Sequence, residues 1–368
     1  MRELIPARIA ALQQKLGELE LDAALIYDRE NLIYFANTPE LEGGVLCVPQ
    51  AGEAVLYCLA PEVAYIREAT PLPVTGYPFP AESQSTMAAR WLKGLGLERP
   101  RVGFTRYFIS LKDYQSLMAA VPGMVVGDIA IPCYQLRSVK APEELAHIRA
   151  AGEALTAGMT AAVAAVRAGV PERAVLAEAE CAMGKAGSQG SPFRMQVLTH
   201  VRQMQLHPYA SSAPLEDNAP VVIHLGASVD GYVAKMCRTV FLGEPSAESL
   251  RIYEALRRAQ EACVAVLKPG VTCNELYEAA RERVTADGYE RYWPMEHIGY
   301  GVGIRQSEFY PIIAKGSGTV LEENMVVDLL LPTICLPGAG GPRLTDTILV
   351  TAHGAEMLTE FDRALIIR

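Results

Sequence analysis

A histidine, a lysine and a cysteine with reactive side chains lie in one region of the sequence. His207 precedes a proline in the segment QLHPY, where a histidine can act as an acid or a base near neutral pH. A hydrogen-bonded loop histidine is the alternative. Lys235 and Cys237 lie two residues apart in VVIHLGASVDGYVAKMCRTVFLG (221–243), so they share one face of a strand. A lone cysteine there is typical of a small core residue, and a nucleophile is the alternative.

The elements before this region alternate between helix and strand. Residues 6–19 repeat apolar side chains at helical spacing, and DAALIYD, GGVLCVP and AVLYCLAP are typical of strands. A further helix and strand follow in QSTMAARWLKGLGLERPRVGFT, which predicts a small α/β domain. A new helix begins at Ala141-Pro142-Glu143-Glu144. We therefore predict two domains, residues 1–140 and residues 141–368.

The second domain contains an internal sequence repeat. RAGVPERAVLAEAECAMGKAG (167–187) and KPGVTCNELYEAARERVTADGY (268–289) both begin with Gly-Val near their start and continue as an amphipathic helix. Strand-like segments follow each copy. The repeat predicts an α+β fold in which pseudo-twofold helices cover a curved antiparallel sheet. A site in such a domain is expected between the two halves.

Composition excludes several classes of partner. The 368 residues carry a formal net charge of −9, which argues against nucleic acid and anionic membranes as partners. No apolar run approaches the roughly 20 residues that span a bilayer, and the first residues do not resemble a signal peptide. The eight cysteines are scattered, without a CxxC pair. We expect reduced thiols and a cytoplasmic location.

Four blocks in order give the sequence a specific resemblance. They are LHPYAS, VVIHLGASVDGYVAKMCRTVFLG, HIGYGVGIRQSEFYP and ENMVVDLLLP followed by GGPRLTDTILVT. With the N-terminal helix, strand and N-x-x-Y element, they resemble the creatinase, aminopeptidase P and prolidase family over the whole chain. The resemblance implies a creatinase-type N-terminal α/β domain followed by a pita-bread domain.

The resemblance also implies where a metal site would be. Peptidases of that family hold two metal ions with two Asp, one His and two Glu, and these positions correspond here to His224, Lys235, Tyr300, Leu330 and Thr345. Lysine and leucine cannot bind a divalent cation. We therefore expect no metal and no other cofactor. Creatinase is the family's metal-free member, and of its four active-site groups this chain keeps one, at His207, and has Cys237, Ser307 and Leu330 at the others.

The family's ligand positions face its cleft, which predicts the site residues. Asp328, two residues before Leu330, is the expected partner of Lys235, in a structural ion pair or at an anion-binding site. If Lys235 binds an anionic ligand, we expect Lys235→Ala to weaken that binding and to change stability little, because a wet cleft would solvate Asp328. If Lys235 is only the structural partner of Asp328, we expect Lys235→Ala to lower stability instead. The predicted catalytic residues are His207, Lys235, Tyr300, Cys237 and Glu296, and the predicted substrate-binding residues are His224, Arg305, Asp328 and Thr345.

From these residues we infer a peptidase homologue without its metal site, acting as a metal-independent hydrolase of C–N bonds in a carboxylate-bearing substrate. A lyase is a compatible reaction. A non-catalytic binding protein and an Xaa-Pro metallopeptidase with a rearranged site are the alternatives. The expected ligand is a small molecule or short peptide. The resemblance implies a homodimer, in which the N-terminal domain of one chain helps to wall the cleft of the other.

Overall fold

The chain divides into two compact units, Met1–Arg137 and Ser138–Arg368. The structure, a computed structural model, describes residues 1–41, 43–105, 109–205, 207–293, 295–331, 334, 336 and 340–368, without the side chains of Leu330 and Leu331. No helix in these described ranges is long and apolar enough to cross a membrane.

The first unit is a mixed sheet flanked by helices. Its strands lie in the order β4-β3-β2-β1-β5-β6; β2 runs antiparallel to both β1 and β3, and the remaining pairs are parallel. The elements in chain order are α1 (Ile5–Glu18), β1 (Ala23–Ile26), α2 (Arg29–Ala36), β2 (Gly44–Pro49), β3 (Val55–Leu59), α3 (Val63–Ala69), β4 (Val74–Tyr77), α4 (Gln84–Gly94), β5 (Arg101–Phe104), α5 (Leu111–Ala120), β6 (Val125–Asp128) and α6 (Ala130–Ser138).

The second unit is built on one curved sheet. Among the described residues its strands follow the order β11-β10-β12-β13-β9-β8-β7, with β14 beside β13 and β15 beside β9. The elements in chain order are α7 (Pro142–Ala165), α8 (Glu172–Lys185), β7 (Gln196–Leu198), β8 (Pro220–Val229), β9 (Tyr232–Phe241), α9 (Ala247–Val266), α10 (Cys273–Ala286), β10 (His297–Gly301), β11 (Glu308–Ala314), β12 (Val326–Leu331), β13 (Leu344–Thr351), β14 (Gly354–Met357) and β15 (Ile366–Ile367).

Each half of this sheet has its own apolar core. One core joins α7 and α8 to β7, β8 and β9, with Leu155 and Met236 fully buried in it. The other joins α9 and α10 to β10, β12 and β13, with Leu276 and Val327 fully buried. Two helices over each half of an antiparallel sheet confirm the predicted α+β fold, with its pseudo-twofold domain after an α/β unit.

Candidate functional site

A tight hairpin sets the register of the two central strands. Asp230 and Gly231 join β8 to β9 with φ angles of +47° and +84°, the left-handed values that a two-residue turn of type I′ requires. The resulting register places Gly226 opposite Lys235 and His224 opposite Cys237. On the other side of β9, Cys237 pairs with Thr345 of β13. His224, Cys237 and Thr345 therefore form one line across three strands, the cross-strand row.

The cross-strand row faces away from the helices. Ala234 and Met236 alternate with Lys235 and Cys237, and they pack in the core under α7 and α8. Cys237 instead belongs to a small separate cluster with Leu198 and Val222. Burial raises the pKa of the Cys237 thiol to about 12. A protonated thiol in an apolar cluster favours the small core residue over the nucleophile.

His224 carries a buried nitrogen that needs a partner. Its ring lies against Phe193, with ring centres 4.9 Å apart. A Cβ at Gly226 would come within 2.3 Å of the same ring, so only glycine leaves room for Phe193. The Nε2 atom of His224 is buried and has no hydrogen-bond partner among the described residues. Burial first, then the charges of Lys235 and Arg343, lower the pKa of His224 well below 6.5, so the ring is neutral at pH 7.

Thr345 adds a second buried polar atom at the other end of the cross-strand row. Its side chain is fully buried, and its Oγ1 has no hydrogen-bond partner in the described part of the chain. A buried polar group without a partner costs about 1–3 kcal/mol, and such groups are rare in folded proteins. The cross-strand row thus presents two buried polar atoms that no described residue satisfies.

Lys235 and Asp328 form a buried ion pair next to the row. Lys235 Nζ lies 2.6 Å from Asp328 Oδ2, with 4% and 0% of the two side chains exposed. The same ammonium donates to Ser307 Oγ at 3.3 Å. The expectation of a wet cleft around this pair is therefore wrong, because the surrounding strands exclude solvent from both groups. A lysine has three N–H donors, so these two contacts leave one for a ligand.

Asp328 is also tied to the neighbouring strand β10. Its Oδ1 accepts from the backbone N–H of Tyr300 at 2.6 Å. A Cβ at Gly299 would lie 2.0 Å from the carbonyl oxygen of Asp328, so glycine is required for this close approach. Burial raises the pKa of Asp328, and the Lys235 ammonium counters that effect. Tyr300 itself is half-buried beside His297 and Phe309, with ring centres 5.1 and 6.3 Å away.

His207 lies at the exposed edge of the same region. Its carbonyl oxygen accepts from Arg194 Nη1 at 2.7 Å. Partial burial, followed by the charges of Arg343 and Arg194, lowers the pKa of His207. Arg343, the residue before β13, donates from Nη1 to Gln196 Oε1 of β7 at 2.9 Å. Since His207, Lys235 and Arg343 all affect the pKa of His224, these groups share one electrostatic neighbourhood.

Two further predicted site residues lie near Tyr300 in the chain and have different surroundings. Glu296 precedes β10, and its exposed carboxylate pairs with Lys315 at 2.9 Å. The Arg305 guanidinium lies 5.4 Å above the Phe309 ring. The side chain of Leu330 lies outside the described residues, and its backbone pairs with Thr345.

Reasoning from the sequence did not select three further side chains at the site, Thr347, Ser307 and Phe193, although the resemblance had placed Ser307 at a creatinase active-site position. Thr347 Oγ1 accepts from the Lys235 N–H at 3.0 Å and donates to the Lys235 carbonyl at 2.9 Å, so it fills the gap between β9 and β13. Strand parity on β13 contains a signal for this residue, because Thr347 lies two positions after Thr345. Ser307 and Phe193 lie in irregular segments, where no such periodicity exists.

Two family models match this chain. The model of metallopeptidase family M24 matches residues 146–352, and the model of the creatinase/prolidase N-terminal domain matches residues 8–139. The chain belongs to the M24 family. Together with the N-terminal match, this confirms the resemblance to the creatinase, aminopeptidase P and prolidase group.

Several full-length relatives of this M24 chain are named Xaa-Pro dipeptidases. The chain is 31% identical to an Xaa-Pro dipeptidase of Pyrococcus furiosus, over 98% of this chain and 99% of the relative. It is 29% identical to an Xaa-Pro dipeptidase of Pyrococcus horikoshii, over 99% and 100%. The solved Xaa-Pro dipeptidase from Bacillus anthracis superposes with a TM-score of 0.90 at 27% identity, over 99% and 100% of the two chains.

These relatives overturn the functional interpretation drawn from the residues. The prediction of a metal-independent hydrolase that cleaves C–N bonds in a small carboxylate-bearing molecule is wrong. Relatives that are similar over their whole length are named Xaa-Pro dipeptidases. The alternatives attached to that interpretation, a non-catalytic binding protein and a rearranged metal site, are withdrawn with it. Residue types at single positions did not identify the ligand class.

The donor set at the metal positions of this M24 chain is a separate matter. At those positions the structure describes an imidazole, an ammonium, a phenol and a hydroxyl, and the ammonium lies 2.6 Å from the nearest carboxylate. No group of three or more His, Cys, Asp or Glu side chains within the described ranges is arranged to hold a metal ion. Hard divalent cations require several oxygen ligands, mainly carboxylates. The residues present do not fit a pair of such cations.

Proposed function

We propose that the face of the second unit around the cross-strand row binds Xaa-Pro dipeptides. The observation that carries the proposal is the pair of buried polar atoms, His224 Nε2 and Thr345 Oγ1, that lack a partner among the described residues. Native proteins rarely leave such atoms unsatisfied, so a polar ligand is their natural partner. The names of the full-length relatives supply the ligand class.

The chemistry of an Xaa-Pro peptide suits the donors at this site. Its peptide nitrogen belongs to the proline ring and has no N–H, so the central amide offers only a carbonyl acceptor. The remaining N–H of Lys235 and the hydroxyl of Thr345 are donors for that carbonyl and for the terminal carboxylate. The aromatic rings of Phe193 and Tyr300 provide apolar surface for the pyrrolidine ring.

His207 has a role at the amino end of the ligand. The lowered pKa of His207 keeps its imidazole neutral at pH 7, so the ring can accept a hydrogen bond from the ammonium group of the peptide. The charges of Lys235 and Arg343 favour the carboxylate end instead. This polarity fixes the direction in which the dipeptide lies.

Titration calorimetry with two dipeptides tests the proposal. We expect Ala-Pro to bind at least about tenfold more tightly than Ala-Ala, a difference of about 1.4 kcal/mol. Thr345→Val removes one donor without removing a charge, so it should weaken Ala-Pro binding about five- to tenfold. Equal affinity for the two peptides, or no heat from either at millimolar concentration, contradicts the proposal.

The oligomeric state and location belong to the same proposal. We propose a homodimer, which would cover the exposed apolar side chains of Val201, Met204 and Tyr209 beside His207. We also propose a cytoplasmic location, since the seven described cysteines form no disulfide.

A further inference from the structure

A buried carboxylate outside the site is aimed at the segment that carries His207. Glu172 is the first residue of α8, and none of it is exposed. Its Oε1 accepts from the Thr199 N–H at 2.8 Å, and its Oε2 accepts from the N–H and the hydroxyl of Ser211, each at 2.8 Å. One carboxylate therefore holds both ends of segment 199–211.

Arg202 completes this attachment from inside the segment. Its Nη1 pairs with Glu172 Oε2 and donates to Ser211 Oγ at 2.6 Å, while its Nη2 donates to the Tyr209 carbonyl at 2.8 Å. We name the set Glu172, Thr199, Arg202 and Ser211 the clasp.

The described part of segment 199–211 depends on polar contacts for its position. Val201, Met204 and Tyr209 are exposed, so these large apolar side chains do not anchor it in the core. Hydrogen bonds to a buried charge are stronger than neutral ones. The hydrogen bonds of the clasp therefore contribute more to the position of this segment than they would if its large apolar side chains were buried.

We propose that Glu172 is a positioning residue, which holds segment 199–211 so that His207 stays beside Arg343 and the cross-strand row. A purely structural Glu172 would stabilise the fold without affecting the titration of His207. The proposal rests on the proposed function only in naming the ligand that His207 meets, and the position of His207 can be measured without any ligand.

The test is the titration of His207, followed by NMR of the full-length protein. Glu172→Gln replaces one acceptor oxygen with an NH₂ group that faces the donors of the clasp. We expect the segment to loosen and the His207 pKa to rise toward its ordinary value, because burial and the two arginines lower the pKa in the wild-type protein. The spectrum of His207→Gln assigns the signal among the six histidines.

Glu144→Gln is the matched control. Glu144 is also a buried carboxylate at the start of a helix, where it accepts from the Ala141 N–H at 2.8 Å and from Tyr232 Oη at 2.9 Å. We expect Glu144→Gln to lower the melting temperature without moving the His207 titration. An unchanged His207 pKa in folded Glu172→Gln, or an equal shift in Glu144→Gln, overturns the proposal.

A milder variant and a binding measurement complete the design. If Glu172→Gln does not fold, Ser211→Ala removes the two contacts that the Ser211 hydroxyl makes in the clasp and keeps the Ser211 N–H. This variant should produce a smaller rise of the His207 pKa in the same direction; no rise overturns the proposal. In Glu172→Gln we expect Ala-Pro binding to weaken about fivefold. If the pKa moves while wild-type protein binds no Ala-Pro, the clasp stands and the proposed function fails.

Discussion

Removing the ammonium of Lys235 should destabilise the protein strongly. Lys235→Ala leaves the Asp328 carboxylate without its cation at a position that solvent does not reach, since Asp328 is 0% exposed. Backbone N–H groups, that of Tyr300 at 2.6 Å among them, would still donate to this carboxylate, but no cation would neutralise it among the described groups. Breaking a buried ion pair from one side costs about 3–5 kcal/mol.

The size of the effect can be read as a melting temperature. For a unit of 150–250 residues, 1 kcal/mol corresponds to about 2–4 °C, so the expected loss is about 6–20 °C at pH 7.5. Lys315→Ala is the control, because its ion pair with Glu296 is largely exposed to solvent and contributes little to stability.

The loss should depend on pH with a definite sign. Burial already raises the pKa of Asp328, and Lys235 counters this, so the pKa rises further in the variant. An acid whose pKa is raised by folding destabilises the protein above that pKa and regains stability as it is protonated. The deficit of Lys235→Ala should therefore shrink from pH 7.5 to pH 5.

A double variant separates a stranded charge from lost packing. Lys235→Met with Asp328→Asn keeps an acceptor for the Tyr300 N–H and removes both charges. We expect it to be at least about 2 kcal/mol more stable than Lys235→Ala. A loss below 1 kcal/mol in Lys235→Ala, or a deficit that grows toward pH 5, refutes the reasoning.

Three further predictions concern His224, the buried Asp346–Arg238 pair and the oligomeric state. His224, whose pKa lies well below 6.5 in the folded protein, should remove stability as the pH falls below 6.5, so urea unfolding of His224→Gln should show a flatter decline between pH 7.5 and 5.5; a parallel decline contradicts this. Asp346→Asn should lower stability by about 3–5 kcal/mol, because Arg238 is fully buried, yet leave Ala-Pro affinity within about twofold; a larger change in affinity would place this pair at the site. Light scattering at micromolar concentration should give the mass of a homodimer, and a monomer would count against it.

The fold could be predicted because its signals are local. Helical periodicity and strand-like apolar runs each act within a few residues, and the repeated helix–strand unit indicated how the second domain is built. One element was only partly visible: α2 follows Asp28, whose side chain accepts from the Asn31 N–H at 3.1 Å, and it ends at Asn37 with φ +56°. Sequence reasoning identified this stretch only as a motif.

The site could be predicted only where side chains alternate regularly between the two faces of a strand. This alternation predicted that Lys235 and Asp328 lie on one face, but the depth of their burial depends on Ser307 and Thr347 from other segments. Glu296 lies four residues before Tyr300, yet β10 begins at His297, so parity did not extend to it. Glu172 reaches partners up to 39 residues away, a distance at which no sequence period operates.

The most direct test of the central claim is a crystal structure of the protein with bound Ala-Pro. We predict that one peptide oxygen lies within about 3.2 Å of Lys235 Nζ and that another lies within hydrogen-bond distance of Thr345 Oγ1. We also predict that the amino group of the peptide points toward His207. Ala-Pro bound elsewhere on the chain, or a cross-strand row whose buried polar atoms meet only water at saturating peptide, would contradict it.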